Sequence, residues 1–523
     1  MYYVHMKGHD YSYEIYEILT IYYPREKICV LNSIDEIPDD SMLITSSVKE
    51  EDGKIEFTSS LFYCNKGKKV KKQEYIFTDE PIEDSSPMGE ESPLEEAQVL
   101  DKAHLKKEIK HGVKVSLFMM FRIYTGIEIP WGVLVGIRPT KIVNDLKRKG
   151  LTSYEIYKEL KEKYIIRDDR IKLVTEVSDN SYNIINKDKT NVSLYIGIPF
   201  CPTRCVYCSF ASYPITKFED YVPKYLDALN YEIKTIGDFI NSNFNIDTIY
   251  IGGGTPTSLN NKDFSHFLDS ITNNININNV NEFTVEAVRP DTINAEKLKY
   301  MIDSGVNRIS INPQTMNDST LKRVGRNHTV NEIIEKYHLA RDMGFKNINM
   351  DMIIGLMGEN IEHVKNTVKS ILDLSPENIT VHTMALKRAS KLKEKLIEDR
   401  DSESSLSILK SIDRDNIEGM MDYVYSNMKK AEYIPYYMYR QKHMVGNLEN
   451  VGYAKKGFEC IYNIQMIEEK ETIIGLGADS VTKMVFLDEN RIERFANKKD
   501  LDGYINTIEA NTDKKIKAIA ELL

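Results

Sequence analysis

The sequence predicts an α/β protein built on a parallel (β/α) partial barrel, with an α+β region before it and a mixed helical and β region after it. Three observations carry that expectation. Short β-rich runs recur from Val192 onward: VSLYIGI, DTIYIGG, EFTVEA, RISIN, NINMDMIIG and ITVHTM. Amphipathic segments separate or follow them, at 218–239, 261–273, 294–304, 318–325, 329–343 and 361–373. The residue patterns that could carry chemistry fall just after these runs, and folds of this kind place function at the carboxyl ends of their strands.

In chain order, residues 1–78 alternate short apolar runs such as KICVLN and KIEFTSSLFYC with polar breaks, and read as strands with a helix. Residues 79–96 (DEPIEDSSPMGEESPLEE) carry eight acids, three prolines and no base, the composition of an exposed linker. A helix is expected over 97–127, with apolar positions at Leu100, Leu105, Val113, Val115, Leu117 and Phe118. The segment PWGVLVGIRPTK at 130–141 breaks it with two prolines and two glycines. A further helical stretch is expected over about 141–162. The division is then an N-terminal α+β domain at 1–170, the barrel at 190–390 and a C-terminal region at 391–523. That last region reads as helical first, β-leaning around 430–495, and closed by a short helix.

Composition excludes several classes. The chain has 523 residues and a formal net charge of −10, which argues against a general binder of nucleic acid or anionic membranes. No apolar stretch reaches the roughly 18 residues that a spanning helix needs. The N-terminus, MYYVHMKGHDYSYEIYE, lacks the basic head and apolar run of a secretory signal. A cytoplasmic location is expected, with no membrane and no nucleic-acid partner. The six cysteines are Cys29, Cys64, Cys201, Cys205, Cys208 and Cys460. They are too sparse for a disulfide scaffold, yet three of the six fall within eight positions.

Those three form a C-x3-C-x2-C loop after a strand, in YIGIPFCPTRCVYCSF. Three thiolates on one short loop can hold three corners of a [4Fe–4S] cube and leave one iron open to a chelating ligand. Structural zinc wants four protein ligands, usually from a second cysteine pair, and no second pair exists. The spacing favours a cluster, with zinc and unliganded cysteines as open alternatives. Further on, Gly252-Gly253-Gly254-Thr255-Pro256 offers exposed amides and close backbone approach, suited to a carboxylate or to a plain strand-to-helix turn. Glu286, Gln314 and Asp351 lie at or just beyond successive strand ends, and Arg326 twelve residues after Gln314; each could equally be a surface or ion-pair residue.

With Tyr207 before its last cysteine and the flanking YIGIPFC and CSF, the loop resembles that of the radical S-adenosylmethionine (SAM) enzymes, in their oxygen-independent coproporphyrinogen III oxidase branch. The resemblance implies a [4Fe–4S] cluster on Cys201, Cys205 and Cys208. It implies one or two SAM molecules: Tyr195, Gly253 and Glu286 at the first, Gly254, Thr255, Gln314, Arg326 and Asp351 at the second, and Tyr207 as the aromatic between cysteines. Outside the barrel, PWGVLVGIRPTK (130–141), YMYRQKHMVGNLENVGY (437–453) and ECIYNIQMIEEKETIIGLGADS (459–480) resemble the HemZ-type coproporphyrinogen dehydrogenase-like subgroup. The implied reaction is oxidative decarboxylation of propionates to vinyls on a tetrapyrrole, in porphyrin and haem biosynthesis. An external electron donor of flavodoxin or ferredoxin type would feed it. A haem chaperone-like binding protein and another radical SAM reaction on a tetrapyrrole are the alternatives. Phe210 stands where the characterised oxidase carries a fourth cysteine, as in the related haem chaperones. Tyr462 stands where those chaperones carry a proposed haem-ligand histidine; His443 and Cys460 are the other candidate haem ligands. An anionic substrate needs cations, for which Arg138, Lys141, Lys387, Arg388 and Arg440 are the sequence candidates.

Overall fold

The structure is a computed structural model that describes residues 1–23, 28–34, 37–51, 54–79, 94–136, 138–185, 188–385, 414–441 and 444–523. Most of the acidic stretch, together with Lys387, Arg388 and His443, lies outside the described residues. The chain divides into two compact units, 1–136 with 151–171, and 137–150 with 172–523.

The first unit is a five-stranded sheet of β1 (Tyr2–Lys7), β2 (Ile28–Leu31), β3 (Ser41–Glu51), β4 (Lys54–Asn65) and β5 (Lys68–Asp79), in the order β2-β1-β3-β4-β5. The helices Ser12–Tyr22 and Leu94–Thr125 bury Ile15, Ile18, Leu19, Val113, Leu117, Phe118 and Phe121 with Phe57 and Leu61 of the sheet. Gly112 permits this contact, since a Cβ there would come within 2.3 Å of the Phe57 ring.

The second unit carries an eleven-stranded sheet in the order β14-β15-β13-β12-β11-β10-β9-β6-β16-β17-β18. Its strands are β6 (Asn191–Ile198), β9 (Asn245–Gly253), β10 (Glu282–Glu286), β11 (Arg308–Ser310), β12 (Ile348–Ile354), β13 (Asn378–Thr383), β14 (Ile434–Tyr439), β15 (Asn450–Ala454), β16 (Thr472–Leu476), β17 (Val481–Phe486) and β18 (Arg491–Ala496). A short parallel pair, β7 (Phe200–Cys201) with β8 (Tyr213–Pro214), stands apart. Seven strands, from β13 across to β16, are mutually parallel; antiparallel strands extend both edges. Among the described residues the two ends of the order do not pair, so the barrel is partial, as the sequence predicts.

The strands carry buried apolar residues at alternate positions, on the face that the helices cover. Leu194, Ile196, Ile249, Ile251, Val285, Ile309, Met350, Met352, Ile379 and Val381 are buried. The alternate positions carry Tyr195, Tyr250, Glu286, Arg308, Asp351 and His382, all on the opposite face because side chains alternate along a strand.

Four features depart from the sequence expectation. The seventh parallel strand, β16, comes from the far C-terminal region and pairs with β6 (Ile473↔Ser193, Gly475↔Tyr195). The expected stretch 141–162 is two helices, Pro139–Arg148 and one starting at Ser153. Gly150, at φ +82, stops the first, and a capping box of Thr152 with Glu155 starts the second. An unforeseen helix, Asp168–Ser181, buries Ile171, Val174, Val177, Ser178 and Ser181 at helical spacing. The closing helix, Leu501–Ala520, has 20 residues and is not short.

Candidate active site

At the carboxyl ends of the parallel strands lies a cavity of about 530 Å³. Its walls include all three cysteines of the loop, Tyr207, Gly253, Gly254, Thr255, Glu286, Gln314, Arg326 and Asp351. Of the residues expected at the cluster and at SAM only Tyr195 is absent from the walls; its ring is stacked 6.4 Å from that of the wall residue Tyr250.

The cysteine loop is fixed along its length. The β7–β8 pair ties Phe200 to Tyr213 and Cys201 to Pro214. Thr203 Oγ1 donates to Gly325 O at 2.8 Å, Val206 N to Val324 O at 3.2 Å, and Cys208 N to Cys205 O at 3.1 Å. Thr255 Oγ1 approaches Cys201 Sγ at 3.5 Å. Burial pushes the Cys201 thiol up to about 12, and the neighbouring Cys208 and Cys205 sulfurs add to the rise. Such a thiol stays protonated until a metal centre takes up its charge.

A cube-shaped cluster takes each thiolate on a separate iron, and the three thiols of the loop, all in the walls of one cavity, fit that donor set.

Beside the loop, the backbone of 252–254 forms a cradle. Gly253 sits at φ +101, in the region that favours glycine. A Cβ on Gly254 would lie 2.5 Å from Phe200 O and 3.0 Å from Cys201 Sγ, and one on Gly252 would lie 2.9 Å from a carboxylate oxygen of Glu286. These three positions admit only glycine without displacing the cysteine strand or Glu286.

Tyr250 Oη donates to Glu286 Oε1 at 2.5 Å. Burial pushes the Glu286 carboxyl up to about 7; the Tyr250 hydrogen bond works against the rise and the nearby Asp351 charge adds to it. Tyr462 stacks 4.4 Å over Tyr250. On the opposite wall Gln314 is buried in the left-handed region at φ 66, an uncommon conformation for a side chain of its size. Its backbone bonds to β12 on either side of Met352: Gln314 N donates to Asp351 O and Ile353 N donates to Gln314 O. Its Oε1 has no donor among the described residues. Asp351 accepts from Asn312 Nδ2 and Asn349 Nδ2, each at 2.7 Å. Burial opposes its ionisation, but His382 and the Asn349 amide outweigh that and hold it below the ordinary carboxylate range. Arg326 Nη1 donates to Asn312 O at 2.6 Å, and its charge lies beside Tyr207 and Cys205.

The cations differ from those expected. Arg138 pairs with Glu469, which Lys483 and Arg494 also approach. Arg440 is buried against Asn447, and neither it, Arg138 nor Lys141 lines the cavity. The walls instead hold Arg289, Arg308 and Arg326, buried at 2, 1 and 4% exposure. Arg308 was missed because an arginine in a strand reads as a surface residue; its guanidinium nitrogens find no hydrogen-bond acceptor among the described residues. Its alternation with Ser310 and Asn312 in RISIN was the available signal. Cys460 is buried, donates its thiol to Glu282 Oε1 at 3.1 Å, and does not line the cavity.

A partial parallel barrel with a three-cysteine loop, a glycine cradle and polar strand ends around one cavity defines a radical SAM protein, and residues 195–371 match the radical SAM superfamily. The oxygen-independent coproporphyrinogen-III oxidase-like protein HemZ of Bacillus subtilis is 40% identical over 421 residues, covering 80% of this chain and 82% of that one. The chain belongs to that HemZ-like family. The heme chaperone HemW of B. subtilis is 38% identical over 194 residues, 37% of this chain and 50% of its own. The oxygen-independent coproporphyrinogen III oxidase of Salmonella typhimurium is 31% identical over 194 residues, 37% of this chain and 42% of its own.

Proposed function

We propose that the chain is an oxygen-independent coproporphyrinogen III dehydrogenase, a cytoplasmic radical SAM oxidoreductase of porphyrin and haem biosynthesis. The observation that carries this reading is three buried arginines in the walls of the cysteine-lined cavity of a chain whose net charge is −10. Arg289 is ion-paired with Asp291, whereas among the described residues Arg308 and Arg326 have no carboxylate partner, and such buried cations suit a polyanionic ligand such as a tetrapyrrole tetracarboxylate. When bound, the cluster and SAM supply the 5′-deoxyadenosyl radical that removes a hydrogen from the β-carbon of a propionate. The chain's own residues bind, orient and exclude water. Cys201, Cys205 and Cys208 hold the cluster. Tyr195, Gly253 and Glu286 serve one SAM. Gly254, Thr255, Gln314, Arg326 and Asp351 serve a second, with Tyr207 between the cysteines. Arg308 places positive charge in the cavity wall, and an external flavodoxin- or ferredoxin-type donor delivers electrons.

The test is anaerobic incubation of the reconstituted protein with SAM, a reductant and coproporphyrinogen III. Release of CO2 and formation of vinyl products is expected. Their absence alongside SAM cleavage would defeat the substrate assignment. Phe210, 61% exposed at the cavity wall in place of a fourth cysteine, favours a second reading as a haem-binding chaperone. Stoichiometric haem binding without decarboxylation would establish it.

Glu286 adds a pH prediction. Burial holds its carboxyl near 7, so the ionised form that accepts hydrogen bonds from ligand hydroxyl and ammonium groups becomes dominant only above that pH. SAM affinity, measured by equilibrium binding between pH 6 and 8, is expected to rise by up to about tenfold. The slope should vanish in Glu286→Gln; a variant with the same slope would remove Glu286 from the cofactor site.

A further inference from the structure

We propose that Arg289 is a positioning residue that sets the reduction potential of the iron–sulfur cluster through the sulfur of Cys205; this rests on the cluster assignment made above. Arg289 lies three residues beyond β10 in the sequence Arg289-Pro290-Asp291. Its side chain is 2% exposed. Its Nη1 points at Cys205 Sγ across 3.9 Å and at Thr203 Oγ1 across 3.1 Å, so one guanidinium touches the cysteine loop twice. The other edge of the fork faces Asp291: Nε to Oδ1 at 3.1 Å and Nη2 to Oδ2 at 3.3 Å. Asp291 also faces His328 Nδ1 at 3.3 Å. The result is a line from the buried His328 through the partly exposed Asp291 and the buried Arg289 to a cluster sulfur.

Reduction adds one negative charge to a cluster that its thiolates already make anionic. An N–H directed at sulfur and a positive charge in a dry site both favour the reduced form, and so raise the potential. The guanidinium keeps its charge at all accessible pH values. Asp291 offsets part of that charge and orients the fork. Arg326 also reaches the same sulfur while donating Nη1 to the carbonyl of Asn312 at 2.6 Å, and substitutions at Arg289 and Asp291 leave that second charge in place. The two partners of the Arg289–Asp291 pair should therefore shift the potential in opposite directions. A residue that merely braced the loop through Thr203 would produce no such opposition.

The experiment is an EPR-monitored redox titration of the anaerobically reconstituted full chain, with iron content measured in each sample. In Arg289→Gln the reduced-to-oxidised ratio at the wild-type midpoint is expected to fall about tenfold, equivalent to about 59 mV for a one-electron couple. Arg289→Lys, which keeps the charge and loses the fork, should recover part of that. In Asp291→Asn the ratio is expected to rise. An unchanged midpoint in an iron-replete Arg289→Gln protein would overturn the proposal, as would an unchanged or lowered midpoint in Asp291→Asn. If Arg289→Gln does not retain iron, the direction of the Asp291→Asn shift alone decides. A wild-type chain that takes up no cluster would overturn the underlying assignment, and this inference with it.

Discussion

Replacement of Cys205 by alanine is expected to abolish loading of a four-iron cluster and to lower SAM cleavage by more than about 100-fold. Loss of a partner outside the ligand set commonly costs a metal site 10–100-fold, so loss of one of three ligands should cost more. Nothing else among the described residues can replace the thiolate: Cys460 is engaged with Glu282, and Cys29 and Cys64 belong to the other unit. The effect should be local. The loop is held by the β7–β8 pair, by Thr203 Oγ1 on Gly325 O and by Val206 N on Val324 O, none of which uses the Cys205 side chain. The metal-free variant should therefore melt with the metal-free wild type. Iron and sulfide assays, the visible absorption of the reconstituted protein and SAM turnover form the check. A Cys205→Ala protein that binds a full complement of iron would remove the cluster from this loop.

The parallel strands were legible because each needs its own apolar run, and the helices between them have a different period. The glycine cradle was legible because its three glycines are contiguous at the end of a strand, although the atoms that require them, Phe200 O, Cys201 Sγ and the Glu286 carboxylate, come from other strands. Strand β16 was not legible as part of the barrel. TIIGL is a buried run like any other, and only its pairing with β6, some 280 residues earlier in the chain, makes it the seventh parallel strand. The same limit hid Arg289 and Arg308. Their charge says surface, and only the register that sets Arg308 opposite Thr284, and Thr284 opposite Tyr250, turns it inward. The cations proposed from sequence failed for the converse reason: Arg138 and Arg440 have partners of their own, supplied by Glu469 and Asn447 from distant or looped segments.

The largest stability effect is expected where the C-terminal helix closes the barrel. Lys515 and Glu232 form an ion pair at 2.5 Å with 0 and 1% side-chain exposure. Glu232 also accepts from Gly477 N at 2.8 Å, Asn497 Nδ2 at 2.9 Å and Tyr504 Oη at 2.6 Å, while Lys515 donates to Gly475 O at 2.5 Å. One carboxylate thus joins the helix Tyr221–Asn243, the end of β16 and the closing helix. Burial alone would raise the Glu232 carboxyl, but Lys515 and the surrounding donors outweigh it and hold it low. A carboxyl depressed in the folded state contributes stability above its unfolded pKa, near 4.5, and loses it as pH falls through the lower folded value. Lys515→Met removes the counter-charge and leaves Glu232 buried, which typically costs about 3–5 kcal/mol. Without Lys515 the sign reverses: the carboxyl titrates above its unfolded value, so the variant loses stability as pH rises through 5 to 8. Denaturant unfolding of the two proteins at pH 5 and pH 8 reads both terms. The double variant Glu232→Gln/Lys515→Met should recover most of the loss, because no buried charge remains to be solvated. A single variant within about 1 kcal/mol of wild type at pH 8 would mean that water or another cation reaches Glu232, and that the closing helix is held by its apolar face instead.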